Sequence, residues 1–141
     1  MNTKIYKHVL ALAGDLMLCV QHKDQKGFDS CYLELKGVCE QNEGTDKDHP
    51  VQWETLADFT DDYSLAIAIY DKALQKAAAI NNKDYLSSIG FSLASMKVET
   101  GDTEGAIAIL SKAKTDSNKI VDKELKAEIH DLLVQLEGCQ A

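Results

Sequence analysis

The chain has 141 residues, 45% hydrophobic and 27% charged, with one proline, which is enough for one domain with its own core and no need of metal or disulfide staples. Its formal net charge is −8, and all 15 basic residues are lysine. An acidic chain without arginine, the usual fork for phosphates and base edges, suits neither nucleic acid nor an anionic membrane.

Helical periodicity opens the chain. Ile5, Val9, Leu12, Leu16 and Val20 recur at three- and four-residue steps and predict a helix over 4–22. Lys4 and Lys7 ahead of Val9–Ala13 faintly resemble an export signal, and Leu16-Met17-Leu18-Cys19 a lipoprotein cleavage box. Asp15 interrupts an apolar run that is already too short, and Leu18 stands where cleavage needs a small residue, so a cytoplasmic protein is expected. No run approaches the ~20 apolar residues of a membrane span.

Lys26-Gly27 predicts a break before a second helix over 27–41. Asn42 to Asp48 reads as the longest loop, and Pro50 suits the first turn of a helix over 49–59, with Asp48 or His49 as cap. Thr60-Asp61-Asp62 ends that helix and caps the next, 62–80, where Tyr63, Ile67, Tyr70 and Leu74 keep the period. Asn81-Asn82 precedes a helix over 83–99, and Thr100-Gly101-Asp102 supplies a glycine stop and an aspartate start for 103–115. Asp116-Ser117-Asn118 is the last break before 119–138, with Leu125, Ile129, Leu132, Leu133 and Leu136. The expectation is an all-α fold of seven helices with short connections between antiparallel neighbours.

The acid excess is local. Glu40, Glu43, Asp46, Asp48, Glu54, Asp58, Asp61 and Asp62 stand against Lys47 alone. Such a run is either a solvated loop and face or an acidic patch complementary to a basic partner.

A repeat underlies the periodicity. Phe28, Cys31, Leu35, Val38 and Cys39 align with Tyr63, Ala66, Tyr70, Ala73 and Leu74, each 35 residues later, and these with Thr103, Ala106, Leu110, Ala113 and Lys114, 40 further on. Small residues at fixed places let paired antiparallel helices approach, and the large one fills the groove to the next hairpin.

The second helix of the middle copy, Asp62-Tyr63-Ser64-Leu65-Ala66 through Tyr70 to Ala73-Leu74, resembles the signature of the tetratricopeptide repeat (TPR) family. Trp53-Glu54-Thr55-Leu56-Ala57 is similar to its first-helix motif, and Leu93-Ala94 and Leu18-Cys19 to its large-small pair. The middle copy's first helix is about three residues short, and the prolines that usually close each repeat are missing. The resemblance implies a single domain over 1–141, a right-handed superhelical stack with repeats near 4–41, 49–80 and 83–115, and a capping helix at 119–138. It also implies a concave groove lined by the first helix of each hairpin, which binds a partner segment. Carried over through the large-small pairs, that groove takes Leu16 and Val20, then Val51 and Asp58, then Phe91, Ser95 and Val98; Thr55 joins in one of two frames. The positions where chaperone-tail binders of the family carry basic residues hold Val20, Asp58 and Phe91, so an apolar or basic partner segment is expected.

Nothing points to chemistry. Cys19, Cys31, Cys39 and Cys139 form no close pair, and Cys19 and Cys31 fall at the small crossing positions, where they are expected to touch as reduced thiols. His8, His22, His49 and His130 are scattered, and no metal, cofactor or catalytic site is expected. The expected function is binding another protein, as an adaptor or a dedicated chaperone similar in size and acidity to bacterial secretion chaperones. The alternative is an immunity or antitoxin protein that blocks a basic toxin. The sequence does not decide between a monomer and a homodimer.

Overall fold

The computed structural model describes residues 2–139, Cys139 by its backbone alone. Among the described residues there are seven α-helices and no strand: α1 (Thr3–Gln21), α2 (Gln25–Asn42), α3 (Pro50–Asp58), α4 (Tyr63–Ala79), α5 (Lys83–Glu99), α6 (Thr103–Ser117) and α7 (Lys123–Cys139). No described helix is long and apolar enough to cross a membrane.

Short polar side chains start the helices. Asn2, Asp24, His49, Asp62, Asn82 and Asp102 each accept a backbone N–H from within the first turn that follows, and Asp122 does the same for Leu125. A cap of this kind is worth about 1 kcal/mol. Three reversals share one device. Lys23, Asn81 and Gly101 adopt left-handed φ of 54°, 50° and 84°. The next amide then bonds back into the helix just ended, Asp24 to Cys19, Asn82 to Ala77 and Asp102 to Lys97, at 2.8–3.1 Å. That next residue is also the cap of the following helix, so two residues reverse the chain.

Two predicted boundaries move. The first break is at Lys23-Asp24 and not at Lys26-Gly27, because Asp24 caps α2 through the Gly27 amide and draws Gly27 into the first turn. The last break is later than expected. Asp116 and Ser117 finish α6, and α7 begins at Lys123 rather than at 119. Asp116 is held there by Lys83 and Lys112, and Ile120 is buried in the connection.

Each helix packs on its successor, and α1, α3, α5 and α7 also pack in sequence on one another, whereas among the described residues α2, α4 and α6 do not. Small residues stand where paired helices meet: Ala57 with Ala66, and Ala94 with Ala106, all buried. A Cβ added to Gly90 would lie 3.1 Å from that of Ala113, so α5 and α6 approach closely there. One apolar cluster joins α1 to α5 around Leu16, Leu35, Trp53, Tyr70 and Ile89. A second, around Leu110, Ile129 and Leu133, ties α5 and α6 to α7.

Leu110 is fully buried in the second cluster and Val121 is 91% exposed. Leu110→Ala is expected to lower the unfolding free energy by about 2–5 kcal/mol in urea titrations, and Val121→Ala by less than ~0.5 kcal/mol.

Candidate functional site: a face of α1, α3 and α5

On the short helix α3, Glu54 and Asp58 are one turn apart and point toward the same side. The Ser88 hydroxyl of α5 donates to Glu54 at 2.6 Å. The Tyr70 hydroxyl of α4 donates to Asp58, with Ser92 of α5 nearby. Burial pushes the Glu54 carboxyl up to about 7, against the pull of Ser88 and with help from the Asp58 charge. Burial also raises Asp58, which the Tyr70 hydroxyl partly offsets. Tyr85 of α5 is pushed up to about 12, first by burial and then by the nearby Glu54 and Tyr6. Tyr85 of α5 thus lies within electrostatic range of both Glu54 of α3 and Tyr6 of α1.

Among the described residues neither Glu54 nor Asp58 has a cationic partner; what they accept comes from neutral hydroxyls. Other shielded acids are treated differently. Buried Asp116 holds Lys83 at 3.2 Å and Lys112 at 3.6 Å. Asp48 holds Lys76 at 2.7 Å and the Trp53 indole N–H at 2.9 Å, and its carboxyl is lowered despite its burial by these bonds and that of the Gly44 amide.

An apolar stripe runs along α1, the helix that packs on α3. Tyr6, Leu10, Ala13 and Met17 follow at helical steps of four, three and four, on one side of α1 next to its buried row Val9, Leu12 and Leu16. Leu10 is 52% and Met17 57% exposed.

The residues expected in the groove divide. Val51, Thr55 and Asp58 share one face of α3, with Val51 buried, Thr55 half-buried and Asp58 exposed. Ser95 is half-buried, and its hydroxyl is spent on the Phe91 carbonyl. Phe91 and Val98 lean on the second core cluster, toward α7. Val20 is 60% exposed at the end of α1, beside Phe28 and Asp61. Leu16 is a correction: it is fully buried in the main core and lines no open surface, because α1 presents its Val9–Leu12–Leu16 row to α2 and α3.

The acidic run does not stay together. Lys72 and Lys76 of α4 reach Glu43 at 2.9 and 3.7 Å, and Lys76 also takes Asp48. Both lysine ammoniums lie over the Trp53 ring. Asp62 caps α4, while Glu40, Asp46 and Asp61 are exposed. Cys19 lies near enough to Cys31 across the α1–α2 pair to help burial raise the Cys31 thiol, and both are free. Cys39 is buried, donates to the Gln52 carbonyl and is pushed up to about 12 by burial. No cluster of three potential metal ligands occurs among the described residues. A concavity of about 380 Å³ lies between α4 and α6 over α5, walled by Leu74, Ala78, Leu86, Gly90, Ile109 and Ala113.

Comparison with known protein families, with curated proteins and with solved structures finds no match.

The Glu54 carboxyl moves from the ordinary value near ~4.3 in the unfolded chain to about 7 in the fold. Between these values the folded state binds more protons, so stability falls as pH rises through that window and stays low above it. Glu54→Gln is expected to be more stable than the parent at pH 8 by about 1–3 kcal/mol, and nearly equal to it near pH 4. Urea denaturation of both proteins across that range checks it.

Proposed function

We propose that this chain is a protein-interaction module that holds a segment of a partner protein along the face of α1, α3 and α5. The consecutive packing of α1, α3, α5 and α7 supports a stack of helical hairpins of the TPR kind, in which the odd-numbered helices line the inner side. One observation carries the functional reading. This face keeps two carboxylates without a cation, Glu54 at a cost in stability, with an exposed apolar stripe on the neighbouring α1, while the buried Asp116 and the half-buried Asp48 are paired with lysine. Groups kept at such a cost are the usual signature of a surface selected for what it binds.

The adaptor or dedicated-chaperone role follows from binding without a chemical step. The immunity-protein alternative rests on the acids between Glu40 and Asp62, and Lys72 and Lys76 already neutralise part of that surface.

A photo-crosslinking side chain placed at Met17 or Thr55 is expected to capture a partner protein in the native lysate, and one placed at Leu65, 51% exposed on α4, is not. Capture from Leu65 alone would move the binding surface to the even-numbered helices.

A further inference from the structure

We propose that the segment bound on this face is amphipathic and basic: a lysine or arginine enters beside Glu54 and Asp58 while large apolar neighbours lie on Tyr6, Leu10, Ala13 and Met17. This rests on the binding face proposed above and specifies its partner.

The charge argument comes first. Two carboxylates at i and i+4 repel one another. A cation between them would relieve that repulsion, and none is supplied from within the described residues. The wall opposite consists of hydroxyls. Ser88 serves Glu54, and Tyr70 serves Asp58. These donors fix the carboxylates in place but carry no charge, so the negative potential stays open to a ligand. Lys97, further along α5, is 3.4 Å from Asp102 and is held away from the face.

The apolar argument is independent of it. Leu10 and Met17 stay half-exposed seven residues apart on a helix whose inner row is fully buried. Two turns of apolar surface accept side chains spaced three to four apart on a helical segment. Packed helices are separated by about 8–10 Å, so a ligand lying on α1 brings a long basic side chain three or four positions away within reach of α3. The concavity between α4 and α6 offers no comparable pair of neighbouring open acids: of Asp71 and Asp116 on its rim, Asp116 is already paired with Lys83 and Lys112.

Binding should be linked to protons. Glu54 is faced by Asp58 from its own helix, Tyr70 from α4, and Tyr85 and Ser88 from α5, with Tyr6 of α1 near Tyr85. Every charge among these is negative or absent at neutral pH. A bound cation favours the ionised carboxyl, so complex formation releases a proton near neutrality and tightens as pH rises from 6 to 8.

The test is a random twelve-residue peptide library displayed on phage and selected against the whole chain at pH 7.5. Selected peptides should carry lysine or arginine within four positions of leucine, isoleucine, methionine or phenylalanine. Their synthetic forms should bind the Glu54→Gln/Asp58→Asn variant at least about tenfold more weakly, and the parent several-fold more weakly at pH 6. They should also weaken on the Leu10→Ser/Met17→Ser variant, with circular dichroism confirming that both variants keep their helices. Peptides that lose affinity on the Leu10/Met17 variant but lack a basic residue, or bind the carboxylate variant as well as the parent, would overturn the basic requirement and leave the binding face standing. Peptides indifferent to both variants, or a selection yielding nothing above background, would overturn the face as well.

Discussion

Small residues line the facing sides of paired helices in this chain, and the placement of everything else depends on the close approach they permit. Cys19 and Cys31, Ala57 and Ala66, and Ala94 and Ala106 are of this kind, and at Gly90 an added Cβ would lie 3.1 Å from that of Ala113. Because small residues take the crossings, the large ones, Leu35, Tyr70 and Leu110, pack toward the next helix and tie one pair to another. The two-residue reversals at Lys23, Asn81 and Gly101 leave little slack, so neighbouring helices run antiparallel. The result brings α1, α3 and α5 side by side and sets residues distant in sequence, such as Glu54 and Tyr85, near one another.

Within that frame the electrostatics are uneven. Asp116 and Asp48 receive lysines from other helices, and at Asp48 the ion pair is part of a tight assembly with Trp53. Glu54 and Asp58 are just as fixed in position but receive hydroxyls instead. Burial without a cation raises the Glu54 carboxyl, which makes the face both a stability cost and a place where a cation gains most. Its neighbour, the stripe along α1, leaves apolar surface unburied. Exposed apolar side chains such as Leu33 and Val134 occur elsewhere too. Here they share a face with shielded carboxyls left without lysine, unlike Asp48 and Asp116, and that pairing is why we propose this face as half of an interface.

Much of the fold was legible because its signals are local. The three- and four-residue steps gave seven helices, and Pro50, Asp62 and Gly101 marked starts and stops by their own backbone chemistry. The misplaced start of α2 has a physical reason. Gly27 looked like the turn, whereas the left-handed residue is Lys23, which carries no such signal. The candidate site was only partly legible. Asp58, Val51 and Thr55 were found because a helical face can be counted along one helix. Glu54 was seen only as one acid in a run, since nothing local separates it from Glu43, whose lysines lie on α4. Leu16 was assigned to the groove by transferring a register from Cys19, and the long α1 turns that position into the core. Leu10 and Met17 were missed, although their spacing with Tyr6 and Ala13 forms a second apolar row beside the buried one.

The most direct test of the account is an NMR titration of the Glu54 side-chain carboxyl between pH 4 and 9 in the free protein. An uncompensated carboxylate held against Ser88 should titrate near about 7 and should shift downward when a basic peptide is added. A midpoint at the ordinary carboxylate value near ~4.3 would show that the charge is already compensated, and would contradict the claim that this face is kept open for a cation.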